Sequence, residues 1–299
     1  MRQLFVFLFV VLLSGAIFAA PCVAAKIKHR DTVYKDSVDL SLKQPEGVGC
    51  SDGYFVVADT GNSQLVRYSM TPQALTPESV FPLPEASPII AQVSSKGEIY
   101  VLDGKSRTII KISQEGQVTG KLKPKGLTGS KTFIPRSFKL DKDDNIYLLD
   151  IFSERVLVLN PAEEYVKHID FPEGYKSFSD LAISQQGRLY LLDGVAGALY
   201  VANPSSKSFE LFSSGLKEHM NFPTSLALDS HGTLYLSDQN GSGLALVGPD
   251  GSFLGRKFGM GWEDGQFYYP SQVCINDRDT LIIADKNNNR VQVFNILED

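Results

Sequence analysis

An all-β fold, with six four-stranded blades arranged in a ring, is what this 299-residue sequence predicts, and three observations predict it. An aspartate closes a β-rich run six times: Val57-Ala58-Asp59, Val101-Leu102-Asp103, Leu148-Leu149-Asp150, Leu191-Leu192-Asp193, Leu236-Ser237-Asp238 and Ile283-Ala284-Asp285. Successive aspartates stand 43 to 47 residues apart, which suits a four-stranded propeller blade and is too long for ankyrin or tetratricopeptide units. After the first 25 residues no stretch has helical periodicity, and turn formers recur too often for long helices. The predicted architecture is a six-bladed β-propeller.

Residues 1–25 read as an export leader. Arg2 supplies a positive start, Leu4 to Phe18 an apolar run broken by Ser14 and Gly15, and Val23-Ala24-Ala25 a small-residue cleavage pattern. The run is short for a membrane span, so a leader cleaved after Ala25 is preferred to a retained anchor. The propeller then occupies 26–299, exported to a bacterial periplasm or cell surface, with no integral membrane segment once the leader is gone. A net charge of −5 makes the chain a poor general binder of nucleic acid or anionic membrane.

Within each unit other positions keep step with the aspartate. Six residues before it stands Gly53, Gly97, Asp144, Gly187, Gly232 or Asp279, each suited to a tight hairpin. Pro45, Pro88, Pro135, Pro223 and Pro270 mark strand starts, with Phe178 in that place in the fourth unit. Tyr100, Tyr147, Tyr190 and Tyr235 stand three residues before their aspartates, placed to pack between sheets. The last unit stops soon after its third strand, near 290–296. The segment Lys26 to Leu40 is therefore expected to supply the missing outer strand by pairing near residues 30–36, which closes the ring and removes exposed edges.

Two units resemble a known repeat. Pro45-Glu46-Gly47-Val48 followed by Val57-Ala58-Asp59-Thr60-Gly61-Asn62-Ser63-Gln64-Leu65-Val66-Arg67-Tyr68 is similar to the NHL repeat, as is Ile283-Ala284-Asp285-Lys286-Asn287-Asn288-Asn289-Arg290-Val291-Gln292-Val293-Phe294. The lead-in Phe258 to Pro270 resembles the connector that family places before a blade. Units two to five keep the aspartate and lose the asparagine-rich turn. The resemblance implies a six-bladed propeller and little about chemistry, because such rings host binding modules, lyases and hydrolases alike.

Asp59, Asp103, Asp150, Asp193, Asp238 and Asp285 are read as structural turn caps, since a carboxylate at a strand end accepts N–H bonds from the turn after it. The resemblance to histidine-liganded propeller lyases is not carried by this chain: of His29, His168, His219 and His231, only His219 is expected near a pocket. The gluconolactonase type implies an inner-strand glutamate with later oxygen ligands; Glu46 has that setting, but Phe222-Pro223-Thr224-Ser225 departs from the expected ligand pattern. No Gly-x-Ser-x-Gly elbow occurs. Asp141-Lys142-Asp143-Asp144-Asn145 falls on a hairpin and reads as a polar turn. No cofactor is expected.

Two clusters lie in long connectors that share one rim. Lys121, Lys123, Lys125, Lys131 and Arg136 precede the third blade and suit an anionic group. Trp262, Phe267, Tyr268 and Tyr269 precede the sixth; Phe267 is expected to plug a blade junction, and Trp262, Tyr268 and Tyr269 suit a sugar or a protein. The expected function is a monomeric binding or scaffolding module for a protein or carbohydrate partner, with a metal-dependent lactonase using Glu46 as the alternative. Cys50 and Cys274 are expected as two buried thiols, because inner strands of adjacent blades look too far apart for a disulfide.

Overall fold

The computed structural model describes residues 26–127 and 132–297; residues 1–25, expected as a leader, and Lys131 lie outside these residues. Six antiparallel four-stranded sheets make up the ring. The first is Gly47–Cys50, Tyr54–Asp59, Gln64–Met70 and Leu75–Pro82, listed from the axis outward, and the next four repeat that order. In the sixth, Pro270–Ile275, Thr280–Asp285 and Arg290–Leu297 are completed on the outside by Lys26–Val33.

Both ends of the strand alternation are buried, and that is why these runs are continuously apolar. In the second strand of blade one, Val56 and Ala58 pack towards blade two, while Phe55 and Val57 pack towards blade six. The apolar core is thus divided into six clusters, one at each junction between blades. The four tyrosines lie in these junctions, and Tyr235 is fully buried. Burial, before the nearby acidic groups, pushes the Tyr100 and Tyr147 hydroxyls up to about 12. Where blade four lacks its proline, Phe178 opens the inner strand and stacks on Tyr175 at 4.9 Å between centroids.

The hairpin residues behave as their identities require. Gly97, Asp144, Gly187, Gly232 and Asp279 all have positive φ, a region that glycine enters freely and aspartate tolerates. A second six-fold feature is not visible in residue type. The fourth residue after each aspartate, Ser63, Arg107, Glu154, Gly197, Ser242 or Asn289, is left-handed with φ between 51° and 62°.

Ring closure occurs as expected, with its register placed earlier along the chain. Lys26 pairs with Leu297 and Val33 with Val291, with a bulge between His29 and Asp31. Inner strands pack on their neighbours all round, first against sixth included. The cysteines differ from expectation. Cys50 and Cys274 form a disulfide, their Cα atoms 6.1 Å apart, because inner strands of adjacent blades converge on the axis to within bonding range.

Candidate functional site

The six aspartates are caps, and they reach further than the turn after them. Each accepts a backbone N–H from the connector entering its own blade: Lys43 to Asp59 at 2.7 Å, Ser87 to Asp103 at 2.8 Å, Ile134 to Asp150 at 2.9 Å, Ser177 to Asp193 at 3.1 Å, Phe222 to Asp238 at 2.8 Å and Tyr268 to Asp285 at 2.8 Å. Asp103, Asp150, Asp193 and Asp238 also accept N–H groups of the following turn. In blades one and six a short 3-10 turn withdraws those donors, and the side chains of Asn62 and Asn288 replace them at 2.7 and 2.8 Å. The asparagine of the NHL-like turn is thus a substitute donor.

At the axis, the positions after the strand-opening residues are Glu46, Ile89, Arg136, Ser179, Thr224 and Ser271. Glu46 is ion-paired with Lys286 of blade six at 2.8 Å. The three hydroxyls donate to the backbone carbonyls of the next blade, Ser271 to Glu46 at 2.7 Å among them. Among the described residues no group of three or more His, Cys, Asp or Glu is placed to hold a metal ion.

One position further along, a polar relay joins the blades. Asp180, buried, accepts from the hydroxyls of Ser137 at 2.5 Å and Ser225 at 2.8 Å and from the N–H of Leu226 at 3.0 Å. The N–H of Val273 donates to Ser225, and that of Val48 to the Gln272 side chain. Blades three to six, and six to one, are linked this way. Sequence reasoning missed Asp180; its only signal is a lone aspartate inside the apolar inner strand Phe178–Ile183.

On the rim, Arg290 is the centre of the aromatic connector. Its guanidinium is 1 % exposed, and all five N–H groups are used: on Asp285, on the carbonyls of Trp262, Glu263 and Gln266, and on the Tyr34 hydroxyl, at 2.6–3.2 Å. Burial is the largest single influence and opposes its charge, but the bonds to Asp285 and Tyr34 and the attraction of both groups together outweigh it and raise its pKa. Asn288 and Gln292, on the same face of the chain, hold Gly261 and Gln266 at 2.8 and 2.7 Å. A fixed loop results, with its largest side chains in solvent: Trp262 is 75 % exposed, Met260 67 % and Tyr268 45 %. Tyr269 is half-buried, and Phe267 fully buried, plugging the junction between blades five and six.

Among the described residues thirteen large apolar side chains are exposed, and their distribution is one-sided. Ten lie in the connectors and loops of a single rim: Tyr34, Val38 and Leu40, Met260, Trp262 and Tyr268, Ile134, Ile151 and Phe152, and Val195. The other three, Val118, Val166 and Leu211, sit on outer strands. The hairpins of the opposite face carry none of the thirteen.

Other predicted residues are dispersed. His219 stacks on Phe253 of the outer strand of blade five at 4.0 Å, so it faces the periphery rather than the axis. The backbone N–H of Lys123 donates to Glu163, leaving its exposed side chain in solvent. Arg136 is half-buried, and burial followed by repulsion from Arg107 lowers its pKa. The Asp141 turn is a hairpin whose carboxylate caps the N–H groups of Asp143 and Asn145.

A family model for the NHL repeat matches residues 267–294. No curated protein is significantly similar in sequence. Among solved structures, virginiamycin B lyase from Staphylococcus aureus is 13 % identical, with a TM-score of 0.60, covering 92 % of this chain and 100 % of its own. A gluconolactonase from Xanthomonas campestris is 14 % identical, with a TM-score of 0.62 and coverage of 93 % and 99 %. A protein of unknown function from Bacteroides thetaiotaomicron is 15 % identical, with a TM-score of 0.64 and coverage of 92 % and 76 %. At these identities the likeness is one of fold.

Proposed function

We propose that this chain, a six-bladed β-propeller of the NHL-repeat family, is a binding module that takes a protein partner on one rim. The observation that carries the reading is the segregation of exposed apolar side chains to that rim. Its focus is Trp262, presented by a loop whose backbone Arg290 holds at three carbonyls. A side chain displayed from a pre-ordered loop loses little freedom on binding, and exposed aromatics are the usual anchors of protein interfaces. Tyr34 and Tyr268, both tied to the Asp285–Arg290 pair, extend the same surface.

The enzymatic alternative asks for a carboxylate-rich axis. Glu46 is engaged by Lys286, and the equivalent positions offer hydroxyls, an alkyl group and a cation; that donor set does not suit a hard metal ion. Export is part of the proposal: the Cys50–Cys274 disulfide suits an oxidising compartment and supports the leader reading.

The test is affinity capture from an envelope extract on the full chain, with Trp262→Ala and Val166→Ala compared. Loss of the captured protein with Trp262→Ala alone is expected. Because Trp262 is exposed, its truncation changes stability by no more than about 0.5 kcal/mol, which a melting curve checks. Equal capture by both variants removes the aromatic rim, and stoichiometric calcium or zinc in the purified protein turns the reading towards the enzyme.

A further inference from the structure

Two cavities open side by side on the rim where the chain enters blade three, and the segment Ile134 to Arg136 separates them. The larger, about 600 Å³, has Arg107, Lys121 and Lys123 on its walls, with Leu122, Phe133 and Ile134 as its apolar lining. The smaller, about 310 Å³, is bounded by Arg136 and Lys176 beside Ile151, Tyr175 and Phe178. No carboxylate lines either cavity. A space of several hundred Å³ with apolar walls and a few convergent charges is the form of a small-molecule site.

The two arginines are what the fold does not require. Arg107 occupies the left-handed position after the cap aspartate, where other blades use Ser63, Glu154, Gly197, Ser242 and Asn289; a long side chain gains nothing from that backbone geometry. Arg136 occupies a position that is Glu46, Ile89, Ser179, Thr224 and Ser271 elsewhere. Neither guanidinium has a hydrogen-bonded or ion-paired partner among the described residues. Asp180, the nearby acid, bonds Ser137, Ser225, Leu181 and Leu226 and pairs with Lys139 at 3.6 Å, so it attracts Arg136 without bonding it. Burial first, and then repulsion from Arg107, outweigh that attraction and lower the Arg136 pKa. Two like charges held near each other with no carboxylate in hydrogen-bond or ion-pair reach cost stability, and such a cost is typical of binding sites.

We propose that these adjoining cavities bind an amphiphilic organic anion, its phosphate or carboxylate held across the dividing segment by Arg107 of the larger and Arg136 of the smaller, and its apolar body laid along Leu122, Phe133 and Ile134 of the larger. The planar guanidinium fork suits both head groups. This site lies across the ring from Trp262, so it stands or falls separately from the aromatic rim.

Isothermal titration of the full chain with decyl phosphate, below its micelle concentration, tests the assignment, with inorganic phosphate and decanol in parallel. Saturable one-to-one binding of decyl phosphate is expected, with each fragment alone weaker by about tenfold or more. Arg107→Gln and Arg136→Gln are each expected to weaken decyl phosphate by about tenfold while leaving the melting temperature unchanged or raised. Trp262→Ala should leave this binding intact. Absence of saturable binding, binding indifferent to both substitutions, or a lowered melting temperature in both variants overturns the proposal. Sedimentation with phosphatidylglycerol vesicles separates the two sources of such an anion: co-sedimentation lost with Arg107→Gln assigns a membrane lipid, and binding of monomeric decyl phosphate without co-sedimentation assigns a free amphiphile.

Discussion

Arg290 and Asp285 show how much a single pair can carry. Among the described residues Arg290 is the largest fully buried side chain, and Asp285 is the one charge ion-paired with it. Asp285→Asn therefore leaves an uncompensated buried cation and is expected to cost about 3–5 kcal/mol in a urea titration. Asp59 occupies the matching place in blade one with neutral partners, Asn62 and Gln64, so Asp59→Asn should cost only about 1–2 kcal/mol. The caps also differ in their response to acid. Burial holds the Asp59 carboxyl above its usual 3.8. Asp103 is buried too, but bonds from the Ser106 hydroxyl and from the N–H groups of Ser87, Lys105 and Ser106 outweigh burial and hold it below 3.8. Asp103 thus adds stability above pH 3.8 that is lost as pH falls through its lowered value, whereas the Asp59 contribution is present below 3.8 and lost as pH rises through its raised value. Urea unfolding between pH 3 and 6, a range set by that reference value, should show the gap between wild type and Asp103→Asn widening with pH and that for Asp59→Asn narrowing. Equal slopes would refute the assignment. The caps were legible because their spacing is sequential. Asp180 was not, because its role depends on which faces of three separate blades meet.

Two elements close the ring by different means. Lys26–Val33 completes blade six by hydrogen bonds, and Cys50–Cys274 ties its inner strand to blade one by a covalent bond. A chain beginning at Tyr34 would leave Arg290–Leu297 as a free edge, and concentration-dependent association on size-exclusion chromatography is expected from it. Replacing both cysteines with serine should cost about 2–5 kcal/mol, since the bridge spans most of the chain; an unchanged denaturation midpoint would show that the strand alone suffices. Closure was readable from the missing fourth strand of the last unit, a matter of length. Its register was not, because the bulge at His29 and Asp31 shifts the pairing. The disulfide escaped because inner strands of adjacent blades were expected to lie too far apart, and their convergence on the axis to 6.1 Å between Cα atoms is a property of the closed ring.

At the scale of the whole molecule the propeller is a polar object in the sense of a disc with two unlike faces. The connectors and post-aspartate loops carry ten of the thirteen exposed apolar side chains of the described residues and both cavities, while the opposite hairpins carry capped polar turns such as those at Asp141 and Asp229. The sequence showed that Trp262 and the lysine connector share one rim, since connectors and post-aspartate loops lie at the same strand ends. It did not show the adjoining cavities at Arg107 and Arg136, whose walls come from neighbouring blades. The pairing of Lys26 with Leu297 has an architectural consequence. Both ends of the described chain emerge together on the hairpin face, directly behind the rim. Whatever is joined there, whether an affinity handle, a surface coupling or a neighbouring domain, sits at the back of the disc and turns the connector rim outward. The same adjacency means that a short linker from Leu297 to Lys26 would let the ring be reopened at another hairpin, giving a circular permutant with the rim untouched.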